Sequence, residues 1–265
     1  MKSVSKSRAE TSDVLPLLLR DLRLPSFAAE YGRAAETAQA DGWDYSEYLR
    51  HLTEVEIEDR RQRRVERLRK ESLLPPSKTM ATLEKNRLPS KAVKLLPGLE
   101  AGDFVTRAEN VLVFGTPGTG KSHFVCAVGH ALVDRGHSVL FTAAFKLVQD
   151  LLAAKRDLAI DKHLKKLDRF DAVILDDIGY VQQSREEMEV LFTFLAERYE
   201  RRSVMITSNL VFSQWDQIFK DAMTTAAAID RVVHHSVILE LSGPSYRADK
   251  ASARQKAQNG TTRDS

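Results

Sequence analysis

Cysteine is nearly absent: Cys126 is the only one in 265 residues. That rules out a disulfide framework and fits a reducing, cytoplasmic setting. No cluster of His and Cys has zinc-finger spacing, and no internal repeat is visible. Long apolar runs are also missing, since a membrane span requires roughly 18–20 such residues. The nearest candidate, "VLPLLL" (14–19), meets Arg20 and Asp21 at once and is expected to be core. Charge of one sign is not in excess either, with a net charge of +3. Bulk charge therefore does not establish a nucleic-acid partner, although its distribution is uneven. The acidic "EVEIED" (54–59) is followed directly by the basic "RRQRRVERLRK" (60–70).

The first part of the chain reads as helical. Tyr45, Tyr48, Leu49, Leu52 and Val55 recur at three- and four-residue spacing, which predicts one helix face, with Asp44 or Ser46 as its cap. Beyond Ile57 the apolar stripe thins to Val65 and Leu68, as on an exposed or partner-facing helix. "LLPPSK" (73–78) stops the pattern, because proline lacks the N–H donor. Pro89, Pro97 and Gly98 then suggest a linker. The expected organisation is a helical domain over 1–78, a linker over 79–100, a nucleotide-binding domain over 101–250 and a disordered tail over 251–265.

From residue 111 short apolar runs alternate with helical stretches. "VLVF" (111–114), "SVLFT" (138–142), "AVILDD" (172–177), "SVMITS" (203–208) and "SVILEL" (236–241) predict buried strands. That order predicts an α/β fold of three layers around a parallel sheet.

"GTPGTGKS" (115–122) completes G-x-x-x-x-G-K-[ST] between a strand and a helix, the phosphate-binding loop (P-loop) or Walker A motif. Gly115, Gly118 and Gly120 let backbone N–H groups point at a β-phosphate, while the helix start adds partial positive charge. Lys121 would reach the β- and γ-phosphates, and Ser122 would offer its hydroxyl to Mg²⁺. Thr116, Pro117, Thr119 and His123 complete the expected ATP contacts. The acidic strand end then supplies Asp176 to the metal, directly or through water. Asp177 follows, where an acid could polarise an attacking water. The strand run between these motifs implies a sheet with one strand inserted between the two nucleotide-binding strands. Asn209, ending the next strand, suits a sensor that holds the lytic water.

In this order the motifs resemble the AAA+ class. The match is closest to the IstB-like transposition helper ATPases, relatives of the DnaC helicase loaders. "DDIGY" (176–180), "SNLVFSQW" (208–215) and "IDRVVHHS" (229–236) carry it, with "RDLRLPSFAAEY" (20–31) and "IEDRRQRRVERL" (57–68). The resemblance spans about residues 15–250. It implies ATP hydrolysis with Mg²⁺, an arginine finger at Arg231 acting on the adjacent subunit, and a second sensor at Arg247. Arg201 and Arg202 are rivals for an interface role. Asp177 stands where most of the class has glutamate, so turnover should be slow and stimulated by oligomerisation on DNA.

The resemblance further implies a homo-oligomer, ring or helical, on double-stranded DNA, which presents a target to the transposase of the same element. Arg60, Arg63, Arg64 and Arg67, and separately Lys162, Lys165 and Lys166 in "KHLKK" (162–166), are the candidate phosphate contacts. A DnaC-like helicase loader is the alternative within the same chemistry. A small-molecule kinase would need an acceptor pocket and gives no reason for Asn209 and Arg231.

Overall fold

A computed structural model describes residues 14–180, 184–211, 214–215, 222–243 and 245–246. Arg247 and the tail 251–265 lie outside these residues. The chain divides into two compact units, Met1–Arg67 and Leu68–Ser265.

The first unit is helical. α1 covers residues 14–21, α2 spans Pro25–Asp41 and α3 runs Tyr45–Glu71. Asp44 caps α3: its Oδ1 accepts from the Glu47 N–H at 2.7 Å while the Glu47 carboxylate accepts from the Asp44 N–H at 3.0 Å. Ser46 lies inside the helix, so of the two candidate caps only Asp44 serves. The expected apolar face also needs correction. Leu52 is buried and Tyr48 donates its hydroxyl to the Tyr31 carbonyl, but Tyr45 and Leu49 are exposed. Between Leu52 and the buried Val65 and Leu68, the inward face is polar. Glu56 is buried and accepts the Ser26 N–H at 2.8 Å, Ser26 Oγ donates to Asp59, and Arg60 Nε donates to Glu56. "VLPLLL" is not core either. Of its residues only Leu19 is buried, while Val14, Leu15, Leu17 and Leu18 are exposed. So small a helical unit has too little volume to enclose every apolar side chain.

The second unit starts within the stretch expected to belong to the helical domain. The Ser72 carbonyl accepts the Phe141 N–H at 2.7 Å, and the Pro75 carbonyl meets His130 Nε2. The expected linker carries structure as well: 3₁₀ turns at Met80–Thr82 and Lys85–Arg87, then α4 over Ser90–Ala101. Pro97 sits inside α4. An internal proline costs about 3 kcal/mol. Leu96 and Leu99 are nearly fully buried, at 2% and 3% exposure. Each such side chain contributes about 1.5–3 kcal/mol, enough to offset the proline.

α5 (Asp103–Thr106) leads into a five-stranded parallel sheet, and the order of elements is β1 (Asn110–Phe114), α6 (Lys121–Asp134), β2 (Val139–Ala143), α7 (Ala144–Arg156), α8 (Ile160–Leu167), β3 (Ala172–Asp176), α9 (Arg185–Arg198), β4 (Ser203–Ser208), α10 (Ala222–Val233) and β5 (Ser236–Glu240). The spatial order is β2-β3-β4-β1-β5, so β4 is inserted between β1 and β3 as the sequence order implied. The strands read as continuous apolar runs because both faces are covered. Leu112, Val173, Leu175 and Ile206 join a core with Leu147 and Leu151 of α7 and Leu191 and Phe194 of α9. The alternate residue Ile174 meets α6. A Cβ built on Gly129 would lie 2.8 Å from Ile174 Cδ1, so the helix and sheet approach too closely there for a side chain.

Glu56 gives the first unit a pH signature. Burial alone would push its carboxyl up, but hydrogen bonds from Arg60, Ser26 and Phe27 outweigh that and hold it below its usual 4.5. A depressed folded value means that the contribution is fully present above pH 4.5 and is lost as pH falls through the folded value. Glu56→Gln should lower helical stability at neutral pH and flatten its acid dependence below pH 4.5. Circular dichroism melts of both proteins between pH 3 and 7 test this, and parallel acid curves would refute it.

Candidate functional site

The carboxyl ends of β1, β3 and β4 lie side by side, where open parallel sheets bind ligands. The loop after β1 folds over them. Its geometry depends on glycine. Gly118 and Gly120 have φ of 89° and 96°, and a Cβ on Gly118 would lie 2.1 Å from Ser245 Oγ. Lys121, buried at the first position of α6, donates to the carbonyls of Gly115 at 2.7 Å and Thr116 at 3.0 Å. Thr119 Oγ1 donates to Thr116 O at 2.9 Å and closes the loop.

A cavity of about 510 Å³ opens beside this loop. It is lined by Pro117, Gly118, Thr119, Gly120, Lys121, Ser122 and His123, and it also receives Asp177, Thr207 and Asn209. The volume falls within the roughly 300–1,000 Å³ of small-molecule sites. Gly115 and Thr116 form the base of the loop behind Lys121. The structure therefore brings together three of the four motifs that the sequence separates by tens of residues.

Asp176 and Asp177 are held by a residue that motif reading missed. Thr207, fully buried on β4, donates its hydroxyl to Asp176 Oδ1 at 2.7 Å and accepts the Asp177 N–H at 2.8 Å. Asp177 adopts φ 66°, a left-handed conformation that costs a non-glycine residue of order 1 kcal/mol. The Thr207 bond holds it there. The only hint in the sequence was a hydroxyl two residues before Asn209, directly after the apolar Val204–Ile206 run. Among the described residues Asn209 Oδ1 is buried against Gly179 without a hydrogen-bond partner, while Asn209 itself lines the cavity. Trp215, buried and tilted against Phe114, donates Nε1 to the Leu210 carbonyl and anchors the loop carrying Asn209.

The opposite wall comes largely from the stretch expected as linker. Its Leu83, Arg87 and Leu88 line it, together with Lys78 just before that stretch and Tyr246. The Arg87 guanidinium lies 4.5 Å from the Tyr246 ring, and the Tyr246 hydroxyl donates to Glu84. His123 Nε2 meets Thr82 Oγ1 at 3.0 Å. Two apolar side chains and a ring opposite a phosphate loop suit a base and ribose.

Arg231 stands apart. It lies on α10, does not line this cavity, and stacks on Phe192 of α9 at 4.6 Å. Its rivals are engaged within the chain: Arg201 pairs with Asp168 and Glu197, and Arg202 with Asp171. Arg198, which sequence reading passed over, is buried and donates to the carbonyls of Leu167, Phe170, Asp171 and Ser203, tying α9 to the bottom of the sheet. Of the basic stretches, Arg60 and Arg63 pair with Glu56, while Arg64 and Arg67 are exposed. Lys162, Lys165 and Lys166 project from α8 into solvent.

Residues 17–254 match the family model described as IstB-like ATP binding protein. The chain belongs to that family. It is 41% identical over 252 residues to an insertion-sequence ATP-binding protein of Sinorhizobium fredii, which covers 95% of this chain and 84% of the relative. It is 36% identical to the insertion sequence IS21 ATP-binding protein of Pseudomonas aeruginosa, over 88% of each chain. Among solved structures it is similar to the replication initiator DnaA bound to AMPPCP and single-stranded DNA, with a TM-score of 0.55 and 16% identity over 71% of this chain and 57% of that one. The crystal structure of DnaI aligns with a TM-score of 0.52 and 19% identity over 66% and 95%. These last two establish the AAA+ fold. Among the described residues no helix is long and apolar enough to cross a membrane.

If Thr207 positions the acids, Thr207→Val should weaken ATP affinity severalfold in Mg²⁺ and leave it unchanged in EDTA, while Thr207→Ser behaves as wild type. Fluorescent-nucleotide titration reads this directly. Equal loss in both conditions would assign Thr207 to packing alone.

Proposed function

We propose that the chain hydrolyses ATP between subunits of a homo-oligomer built on double-stranded DNA, and that this assembly delivers target DNA to the transposase of the same insertion sequence. The observation that carries the reading is the separation of Arg231 from the cavity that its own Lys121, Asp177 and Asn209 line. A finger that serves a neighbour's nucleotide has to point away from its own.

In this reading Lys121 and the start of α6 hold the β- and γ-phosphates. Ser122 and Asp176 hold Mg²⁺, which neutralises phosphate charge. Asp177 takes the proton of the attacking water while the Asn209 amide orients it, and ADP and phosphate result. The neighbour's Arg231 meets the charge spreading over the γ-phosphoryl oxygens, a contribution of about 10³–10⁵ in rate for such fingers. Asp177 is shorter than the glutamate common to the class, so basal turnover is slow. Arg247 would report nucleotide state within its own subunit. The exposed lysines of α8 and the arginines of α3 are the surfaces offered to the DNA backbone, each repeated around the oligomer, with strong salt dependence.

The relatives favour transposition over helicase loading: they are named for insertion sequences, whereas the crystal structure of the DnaC helicase loader, at 15% identity, shares only the fold. The loader reading predicts a helicase partner instead of a transposase.

Lys121→Ala is expected to abolish ATP binding and ATP-dependent growth on duplex DNA, measured by light scattering coupled to size exclusion. Growth that persists in this variant would refute the site. Arg231→Ala should bind ATP normally yet lose at least about 10³-fold in turnover. Mixing it with Asp177→Ala subunits should restore part of the activity, because some interfaces then pair an intact acid with an intact finger. No recovery at any ratio would refute action in trans.

A further inference from the structure

The motif "IDRVVHHS" holds two histidines that the proposed chemistry does not use. His234 and His235 follow α10 directly, and the fold brings Glu200, from the turn after α9, beside them. Atoms able to ligate a metal on these three residues all lie within 4.8 Å of one another. His235 Nε2 is 3.8 Å from Glu200 Oε1. Four ligands around zinc at about 2.05 Å stand roughly 3.4 Å apart, so the observed separations need only small side-chain rotations. All three side chains are exposed and able to make them.

The backbone beneath them is fixed. The His235 carbonyl accepts the Asn110 N–H of β1 at 2.7 Å, and the His234 N–H donates to Asp230 O at 2.9 Å. Glu200 adopts φ 55°, a left-handed turn that returns the chain toward β4. The Tyr199 hydroxyl lies 3.1 Å from His234 Nδ1. In the tautomer that donates Nδ1–H to Tyr199, the Nε2 lone pair is available to a metal, and the outer partner fixes the ring as ligating histidines require. Two imidazoles and one carboxylate suit zinc and similar first-row ions rather than Mg²⁺ or Ca²⁺, which take oxygen ligands. Three protein ligands leave a fourth position for water. A surface His–Glu pair with no metal is worth little.

We propose that Glu200, His234 and His235 form a divalent transition-metal site of the zinc type, joining the turn after α9 to the end of the helix that carries Arg231. The linear spacing that defines zinc motifs misses it, because Glu200 lies 34 positions before His234. The site does not depend on the ATPase reading.

The test uses the full chain, stripped with chelator and returned to millimolar Mg²⁺, titrated with zinc chloride against a chromophoric chelator. One zinc per chain at micromolar affinity or tighter is expected, unchanged when ATP·Mg²⁺ saturates the nucleotide cavity. Glu200→Gln, His234→Ala and His235→Ala should each weaken it at least tenfold, with zinc-free melting temperatures near that of wild type. Co²⁺ in place of zinc should give d–d absorption bands that His235→Ala removes. No stoichiometric zinc, or affinity undiminished in these variants, overturns the proposal. Should a histidine variant fail to fold, the exposed Glu200→Gln decides alone.

Discussion

The placement of β4 between β1 and β3 is the constraint on which the rest of the nucleotide-binding unit depends. Parallel pairing on both sides fixes the register, with Phe114 opposite Ser208 and Leu175 opposite Ile206. All three strands therefore end at one edge. From that edge emerge the phosphate loop, the acidic pair and the asparagine. Had β1 and β3 been neighbours, the Thr207 hydroxyl would have no place between the loop and the acids. As built, it donates to one aspartate and accepts from the backbone of the next, so one buried side chain sets the orientation of two carboxylates.

That arrangement also accounts for the strain at Asp177. A non-glycine residue in the left-handed region persists only where its surroundings over-determine it. Here the preceding strand is locked on both sides, and its own N–H is taken by a fully buried partner. The turn carries the carboxylate off the strand axis and into the cavity, where Asn209 and Lys121 also lie. An extended residue at that position would continue the strand and direct the acid elsewhere. The local cost of order 1 kcal/mol is small against a sheet whose central strands are buried on both faces.

The legible parts of this chain were those where one local rule acts without competition. Strands covered on both faces read as unbroken apolar runs, and all five fell within a residue or so of their observed bounds. The phosphate loop was legible because its glycines answer to backbone geometry alone. Reading failed where tertiary packing outweighed a local signal. Pro97 and Gly98 suggested a linker, yet the burial of Leu96 and Leu99 holds them in a helix. Apolar spacing placed Tyr45 and Leu49 on the inner face of α3, but the inner face continues through Glu56, whose burial depends on donors 30 positions away. Thr207 was barely legible for a related reason. Its meaning lies in two partners at the end of β3, and no periodicity records them.

The same sheet reaches the far side of the molecular unit through Asn110. Its side-chain amide donates to the Val232 carbonyl, one residue past Arg231, and its oxygen accepts the Val204 N–H at the start of β4. Asn110 thus ties the end of the Arg231 helix to one terminus of β4, whose other terminus carries the Asp176–Thr207–Asp177 tie. Arg231 itself is braced against Phe192, so its guanidinium rests on α9 rather than trailing in solvent. In the proposed reading, a rigid strand between the loop-bearing end and a helix that faces away would give each subunit two half-sites at a fixed spacing. Completing either half from a second copy then requires a repeated, directional contact. Such head-to-tail contacts close into rings or propagate as helices according to the rotation between copies.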